Sequence, residues 1–276
     1  MKLKDKVALI FGGSGGIGIH IAEFFCREGA RVIIAGKNPQ RVRDAVRSIK
    51  RITDAKTLGV TANVADYASV QRAVKNIAEK FRRIDILVNC AGIQEPIGPF
   101  KANNINAWKK NISVNLFGTV HACQAVIPSM ARQRSGSIIN FSGGGGTGPR
   151  PNFSAYAVAK TGIARFTEIL AGELKPYHIR ANAIAPGAVN TRMLEEVLRA
   201  GKRAGKKELA EARKRKQEGG TSPELAAALA VFLASPASAP LTGRLISAPW
   251  DDWKNWKTKD IKAIMSSEKF TLRRIA

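Results

Sequence analysis

The stretch Val7-Ala-Leu-Ile-Phe-Gly-Gly-Ser-Gly-Gly-Ile-Gly18 decides the fold of this 276-residue chain. A short β-rich apolar run opens directly into a glycine-rich turn, and an apolar helical pattern through Ile21, Phe24 and Phe25 follows it. Such a turn is a known device for holding pyrophosphate, because the glycines allow close backbone approach and the helix N-terminus presents free N–H groups. Glycine-rich turns also have purely structural uses, but this position between a strand and a helix favours nucleotide binding.

Outward from this turn, strands alternate with helices over most of the chain. Besides Val7–Phe11, the predicted strands are Arg31–Ala35, Thr57–Asn63, Ile84–Asn89, Ser137–Phe141, Arg180–Ala185 and Gly243–Ser247. Helical patterns cover 39–50, 66–81, 104–132, 155–174 and 223–234. This alternation predicts an α/β fold, a doubly wound parallel sheet (Rossmann fold) in a single domain.

Two regions depart from the alternation. We predict a dinucleotide-binding and catalytic domain over 1–249 that contains a basic, helix-prone insertion at 192–220. Residues 250–276 form a C-terminal tail extension with Trp250, Trp253 and Trp256, whose spacing permits one side of a helix. We expect these tryptophans to pack the tail onto the body or onto a neighbouring subunit.

Composition narrows the class of protein. No apolar run approaches the roughly 18–20 residues of a transmembrane helix, so no membrane span is expected. The three cysteines, Cys26, Cys90 and Cys123, lack the spacing of a disulfide framework or a zinc site, which predicts no metal and a reducing cytoplasmic location. The formal net charge is +24, and it indicates either a solvated basic surface or attraction to anionic partners.

Several further motifs resemble those of the short-chain dehydrogenase/reductase superfamily. They are Gly12-x3-Gly16-Ile17-Gly18, Asn89-Cys-Ala-Gly92, Asn115, Tyr156-x3-Lys160 and Pro186-Gly187-x3-Thr191, and the resemblance covers residues 5–247. One departure is Phe11, where the family usually has threonine. The resemblance implies hydride transfer between a nicotinamide cofactor and a small carbonyl or alcohol substrate, in a homo-oligomer, commonly a dimer or tetramer. The cofactor contacts it implies are Gly12, Ser14, Gly15, Gly16, Ile17, Gly18, Lys37, Asn38, Asn63, Val64, Asn89, Ala91, Gly92, Tyr156, Lys160, Pro186, Gly187, Val189 and Thr191.

The end of the second strand predicts NADP(H) rather than NAD(H). A carboxylate there would accept hydrogen bonds from the ribose of NAD and repel a 2′-phosphate, but the sequence is Ala35-Gly-Lys-Asn38. Lys37 resembles the basic residue of NADP-dependent family members, and Ser14 offers a hydroxyl. Asn63 stands where the family often has aspartate beside the adenine, and its amide can still donate and accept.

Tyr156 and Lys160 lie four residues apart, on one face of a predicted helix. The lysine cation and the charge of the nicotinamide are expected to lower the tyrosine pKa from its ordinary value of about 10 towards a useful range. By resemblance, Tyr156 is the general acid/base, Lys160 also holds the nicotinamide ribose, and Asn115 positions a water in a proton relay.

The serine that family members use to hydrogen-bond the substrate carbonyl is missing at its usual position, which Gly143 occupies. Two interpretations stay open. The glycine run 143–146 is permissive enough for Ser142 to shift into the carbonyl site, and we favour this one. Alternatively the hydroxyl is absent, and backbone N–H groups or substrate binding compensate for a loss on the order of 10²–10³ in rate.

On the substrate side, Arg150 and Arg192 flank the loops expected to line the pocket, and the basic insertion is expected to cover it. Guanidinium groups suit an anionic or sugar-like substrate, although these charges can equally be solvated on an exposed helix. The sequence leaves two other functions open. One is an NADP(H)-binding pseudoenzyme or sensor, suggested by Gly143 and Phe11. The other is a nucleic-acid-associated basic protein, disfavoured because no recognition motif accompanies the charge.

Overall fold

The computed structural model describes residues 1–53 and 56–273. Its centre is a seven-stranded parallel sheet in the order β3-β2-β1-β4-β5-β6-β7. The strands are β1 Val7–Phe11, β2 Arg31–Gly36, β3 Thr57–Thr61, β4 Ile86–Asn89, β5 Gly136–Phe141, β6 Ile179–Ala185 and β7 Leu245–Ser247. The strand order reverses between β1 and β4, which opens a crevice at the carboxyl edge of the sheet.

Helices cover both faces of this sheet, which confirms the predicted Rossmann fold. They are α1 Ile17–Arg27, α2 Pro39–Ile52, α3 Tyr67–Phe81, α4 Ile105–Ile112, α5 Gly118–Gln133, α6 Ser154–Glu173, α7 Arg192–Ala200, α8 Lys206–Glu218, α9 Pro223–Ala234 and α10 Thr258–Met265. No helix among the described residues has both the length and the apolar character needed to cross a membrane.

The side chains of β1 alternate between two apolar cores. Ala8 and Ile10 belong to the core that also contains Phe25 of α1. Leu9 and Phe11 belong to the core on the other face, which explains why an aromatic ring is accommodated where the family usually has threonine. Phe11 is fully buried there, away from the glycine-rich turn that follows it.

The structure differs from the sequence prediction in the helix before β5 and in the tail. The helix predicted over 104–132 is interrupted by a π-helical segment, Ser113–Phe117, between α4 and α5. The insertion, which was predicted to be helix-prone, folds as α7 and α8. The three tryptophans of the tail lie in non-helical segments before α10, so the helix that their spacing permits does not form there.

Candidate active site

The glycine-rich turn fits a dinucleotide phosphate. Gly12 has φ +82°, and a Cβ there would lie 2.5 Å from the backbone nitrogen of Ala91, so only glycine lets β1 and the segment after β4 meet. A Cβ at Gly18 would overlap the carbonyl oxygen of Gly12, which keeps α1 tight against the turn. The N-cap of α1 is Gly16, and no side chain in the described part of the chain caps this helix. Its N-terminus can therefore face an anion.

The residues expected to contact the cofactor ribose lie at the carboxyl end of β2. A Cβ at Gly36 would lie 2.9 Å from the Ser14 hydroxyl, so this hydroxyl stands over the end of the strand. Lys37 is exposed beside it. The Asn38 side chain accepts a hydrogen bond from the Arg41 backbone nitrogen at 2.9 Å and so begins α2.

Arg41 is a residue of this region that the sequence analysis missed. A Cβ at Gly15 would lie 2.8 Å from a guanidinium nitrogen of Arg41, so this side chain reaches from α2 over the glycine-rich turn. The available signal was its position three residues after the N-cap of a predicted helix, because the first turn of α2 directly follows the strand end that is expected to contact the ribose.

The residues expected at the adenine side form the turn before α3. The Asn63 side chain accepts a hydrogen bond from the Ala65 backbone nitrogen at 3.2 Å, and the Asn63 backbone nitrogen donates to Ser69. Val64 is buried against Gly118. Ile17 opens α1 on the other side of the crevice.

The segment after β4 faces the glycine-rich turn. Ala91 meets Gly12 there, and a Cβ at Gly92 would lie 2.6 Å from the Asn115 side-chain oxygen. Asn89 is buried at the end of β4, and its side-chain amide donates to Asn140 on β5 at 2.9 Å. The Asn89 side chain thus ties neighbouring strands together beneath the crevice.

Asn115 lies in the π-helical segment and is fully buried. Its side-chain oxygen accepts from the Ile93 backbone nitrogen at 3.2 Å, and its amide donates to the Ile93 carbonyl oxygen at 2.8 Å. The same amide donates to the Asn111 side-chain oxygen at 2.7 Å. Widened helical turns of this kind occur frequently at functional sites, and here the widening lets Asn115 hold the segment after β4.

Tyr156 and Lys160 share one face of α6, with the lysine nitrogen 5.4 Å from the centre of the tyrosine ring. Both side chains are buried at the crevice. The Lys160 nitrogen donates to the Phe141 carbonyl oxygen at the end of β5 at 2.7 Å. The Tyr156 hydroxyl has a weak contact of 4.0 Å with the sulfur of Met193 on α7.

The environment of Tyr156 corrects the expected direction of its pKa. Burial raises the pKa of Tyr156 to about 12; the nearby Arg150 cation opposes this rise and the Glu196 carboxylate adds to it. Burial also lowers the pKa of Lys160 to about 8. Desolvation therefore outweighs the attraction of the Arg150 cation, and the nicotinamide charge that the expectation also used belongs to the cofactor-bound state.

The expectation that Ser142 shifts into the carbonyl site is not met. The Ser142 hydroxyl donates to the Lys160 carbonyl oxygen at 2.9 Å and is buried against α6. A Cβ at Gly143 would lie 3.8 Å from the Tyr156 hydroxyl oxygen, so position 143 faces the phenol but supplies no hydroxyl. Gly143 has φ +136°, a conformation that favours glycine and that carries the chain past the phenol.

The loop after β6 closes the crevice from the other side. Pro186 packs against the Gly143 position at 3.6 Å, and a Cβ at Gly187 would lie 2.8 Å from the Thr221 hydroxyl. Val189 is buried in this loop. Thr191 caps α7 and lies beside Gly16 of the glycine-rich turn, at 3.5 Å from an ideal Cβ there.

Helices α7 and α8 cover the site, and the two predicted substrate arginines are both ion-paired to them. Arg150 forms two bonds of 2.7 Å with Glu208 on α8. Arg192 lies 3.3 Å from Glu196 within α7. The lid, which we define as α7 and α8 with residues 201–205 between them, packs its apolar side on Phe153 and Tyr156.

Lid residues near the phenol were not identified from the sequence. Met193, Glu196 and Glu208 approach Arg150 or Tyr156 only because α7 and α8 fold back over α6. Gln94 was missed as well: its backbone nitrogen donates to Glu196 at 3.1 Å. Local sequence carries no signal for such contacts, since they join segments far apart in the chain.

Comparisons with known proteins agree with this geometry. A family model described as short chain dehydrogenase matches residues 6–201. The short-chain reductase protein NovJ of Streptomyces niveus is 39% identical over 247 residues, which are 88% of this chain and 92% of that protein. An NAD+-bound xylitol dehydrogenase has a TM-score of 0.84 and 25% identity, covering 90% of this chain and 98% of its own. An actinorhodin polyketide ketoreductase with NADPH has a TM-score of 0.80 and 26% identity, covering 88% and 95%.

Proposed function

The chain belongs to the short-chain dehydrogenase/reductase family, and from this premise we propose that it is an NADP(H)-dependent reductase of carbonyl substrates. Its membership makes it a nicotinamide-dependent oxidoreductase. The observation that carries the proposal is the buried Tyr156 hydroxyl beside Gly143, on the same helix face as Lys160 and at the mouth of the crevice. A phenol whose pKa is raised to about 12 is protonated at neutral pH, and this is the state that carbonyl reduction requires.

In this proposal the bound nicotinamide supplies a hydride to the carbonyl carbon. As the carbon–oxygen π bond breaks, its electron pair moves to the oxygen, which takes the proton of Tyr156 and becomes the alcohol. Lys160 would hold the ribose of the bound cofactor, and it would restore the phenol proton through a relay to solvent in which Asn115 would position the water. The hydrogen bonds of Asn115 to Ile93 also hold the wall of the crevice in place.

The preference for NADP(H) is supported by the charges at the end of β2. Arg41 reaches over the glycine-rich turn, Lys37 is exposed at the strand end, and the Ser14 hydroxyl stands beside them. A guanidinium suits a phosphate because it offers several donors in a plane. No carboxylate lies in Ala35–Asn38 to repel the 2′-phosphate.

The residues of the lid favour a carbonyl substrate with an apolar portion over a substrate that is mainly anionic. Its inner surface contributes Leu194 and Val197 beside Phe153, and Met193 lies against the phenol. Arg150 and Arg192 each face a carboxylate already, which reduces the attraction that either offers to an anionic or sugar-like substrate.

Turnover of a carbonyl panel tests the proposal. The panel contains a 3-oxoester, a ketose, an aromatic aldehyde and a phosphorylated ketone, and the loss of NADPH absorbance is followed. We expect turnover of at least one member, and Tyr156→Phe should lower kcat by on the order of 10³ while NADPH still binds. Tyr177→Phe, a change of the same kind at an exposed tyrosine, is the control. A Tyr156→Phe enzyme equal to wild type on every member would favour the sensor alternative.

We also propose a homo-oligomer in a reducing cytoplasm. Val158 and Ile169 lie on one face of α6 and are exposed by 51% and 50%, which supports burial against a second copy. The three cysteines are free, which supports a reducing compartment. Sedimentation analysis of wild type and of Ile169→Glu tests the oligomer, since a charge on this face should favour the monomer.

A further inference from the structure

The active site has a polar group missing beside its acid. The hydroxyl of Ser142 is turned away to the Lys160 carbonyl oxygen, and Gly143 presents no side chain to the Tyr156 hydroxyl. During carbonyl reduction, negative charge develops on the oxygen that the phenol protonates. A second donor or positive charge at this oxygen normally contributes on the order of 10²–10³ in rate.

Arg150 is the cation placed to supply that charge. Its guanidinium carbon lies 5.9 Å from the centre of the Tyr156 ring and 3.9 Å from that of Phe153. One terminal nitrogen, Nη1, would lie 3.5 Å from a Cβ at Gly144, so the absence of a side chain there leaves room for the guanidinium beside the glycine run that begins at Gly143. Only 16% of the Arg150 side chain is exposed.

The lid fixes the orientation of this guanidinium. Glu208 binds Nε and Nη2, which leaves Nη1 free of the carboxylate. The Gln94 side-chain amide is oriented so that both its oxygen and its nitrogen have hydrogen-bond partners. Its oxygen accepts from Nη1 of Arg150 at 2.8 Å, and its nitrogen donates to the Met193 carbonyl oxygen at 3.0 Å. Nη1 carries a second proton, and a guanidinium held in this fork keeps its charge and its direction.

We propose that Arg150 takes the place of the family's carbonyl-binding serine: its guanidinium faces the reacting oxygen across the Gly143 gap, and Glu208 is its positioning residue. The inference rests on the proposed reductase function. Arg150 transfers no proton and remains a cation throughout, so the proton still comes from Tyr156 and the hydride from the nicotinamide. Its contribution is electrostatic stabilisation of the charge on oxygen.

The charged groups that face Tyr156 determine how its titration should respond. They are Arg150 from the loop before α6, Lys160 from α6 itself and Glu196 from α7. A nearby cation lowers a phenol pKa, so loss of Arg150 should raise the pKa of Tyr156. Loss of Glu208 removes a negative charge beside Arg150 and should shift the pKa in the opposite direction or leave it unchanged.

Three variants separate this role from a purely structural latch. The substrate is the panel carbonyl with the highest turnover, and its alcohol is used with NADP+ for a pH profile of oxidation, in which Tyr156 acts as a base. Arg150→Gln should lower kcat/KM by on the order of 10²–10³ and move the rising limb to higher pH. Arg150→Lys should recover part of the lost kcat/KM and return the rising limb of the pH profile to its wild-type position. Glu208→Gln should act mainly on KM and should not move the limb upward. Arg199→Gln, which removes an exposed lid cation, is the control for charge.

Thermal unfolding and NADPH binding are measured for each variant, so that misfolded protein is recognised. If Arg150→Gln does not fold, Arg150→Lys is compared with wild type in its place. Two outcomes overturn the inference: an Arg150→Gln enzyme with wild-type kcat, or equal losses in Arg150→Gln and Glu208→Gln with no movement of the limb. Failure of the proposed function is distinct, because wild type would then turn over no panel member, or Tyr156→Phe would remain active.

Discussion

Lys160 is a cation in surroundings that oppose its charge. Burial lowers its pKa to about 8 from 10.5, and its nitrogen donates to the Phe141 carbonyl oxygen. Between these two pH values the unfolded chain binds a proton that the folded protein has released. The free energy of unfolding therefore rises with pH across this window, and below about pH 8 the folded state carries the full penalty.

We expect this penalty to be visible in Lys160→Met. The difference in unfolding free energy between wild type and Lys160→Met should move in favour of wild type by on the order of 3 kcal/mol as pH rises from about 7 to above 10. Urea unfolding of both proteins at several pH values measures it. A difference that stays constant with pH would contradict the burial of a charged Lys160.

Arg41 is expected to select the cofactor. Its guanidinium lies beside Gly15, where a 2′-phosphate would approach. Arg41→Gln should raise the KM for NADPH by about 10–100-fold, since a charge-assisted hydrogen bond contributes about 1.5–3 kcal/mol. The KM for NADH should change little. Arg43→Gln on the same helix is the control, because Arg43 donates to Gln40 instead. An equal loss for both cofactors would contradict the assignment.

At the scale of elements, the packing of α1 on the glycine-rich turn holds the dinucleotide site together. A Cβ at Gly18 would overlap the Gly12 carbonyl oxygen and lie 2.9 Å from the Cys90 sulfur. Gly172, near the end of α6, has no atom within 4 Å of its Cβ position apart from its chain neighbours and the helix backbone. A glycine-to-alanine substitution can therefore be compared between a crowded position, Gly18, and an open one, Gly172.

Gly18→Ala should lower stability by about 1–3 kcal/mol, because α1 must move away from the turn, and NADPH affinity should fall with it. Gly172→Ala should raise stability by about 0.5–1 kcal/mol, because alanine loses less backbone entropy in a helix. Denaturant midpoints and NADPH titrations measure both effects. A Gly18→Ala protein with wild-type stability would contradict the close helix–strand contact.

For the whole molecule, the tail completes the core instead of extending from it. Trp253 packs against Phe232 of α9 with ring centres 5.9 Å apart, and its indole nitrogen donates to the Ala248 carbonyl oxygen at 3.0 Å. The Leu245 backbone nitrogen at β7 donates to the Phe270 carbonyl oxygen at 2.8 Å. The residues after β7 therefore cover both the core under α9 and the last strand of the sheet.

The neighbouring tryptophans should consequently differ in their effect on stability. Trp253 is 6% exposed and Trp250 is 77% exposed. Trp253→Ala should cost about 3–5 kcal/mol, because it leaves a cavity in the core. Trp250→Ala should change stability by no more than about 0.5 kcal/mol. Equal shifts in the unfolding midpoint would contradict the docking of the tail.

Local pattern was sufficient for the fold and for the outline of the site. Three short-range features carried this prediction: the continuous apolar run Val7–Phe11, the glycines that follow it, and the four-residue spacing of Tyr156 and Lys160. They predict strand, turn and helix without reference to distant residues. The carboxyl ends of parallel strands lie along the same edge of a sheet, and the motifs that follow these strands therefore come together at the crevice.

Tertiary structure alone decided where polar groups point and how strongly they are desolvated. The Ser142 hydroxyl turns to Lys160, burial raises the pKa of Tyr156, and Glu208 crosses from the lid to Arg150. Each depends on segments that are distant in sequence, as does the choice of Trp253 over Trp250 for the core. Periodicity describes which face of an element is apolar, whereas hydrogen-bond direction and desolvation depend on what packs against that face.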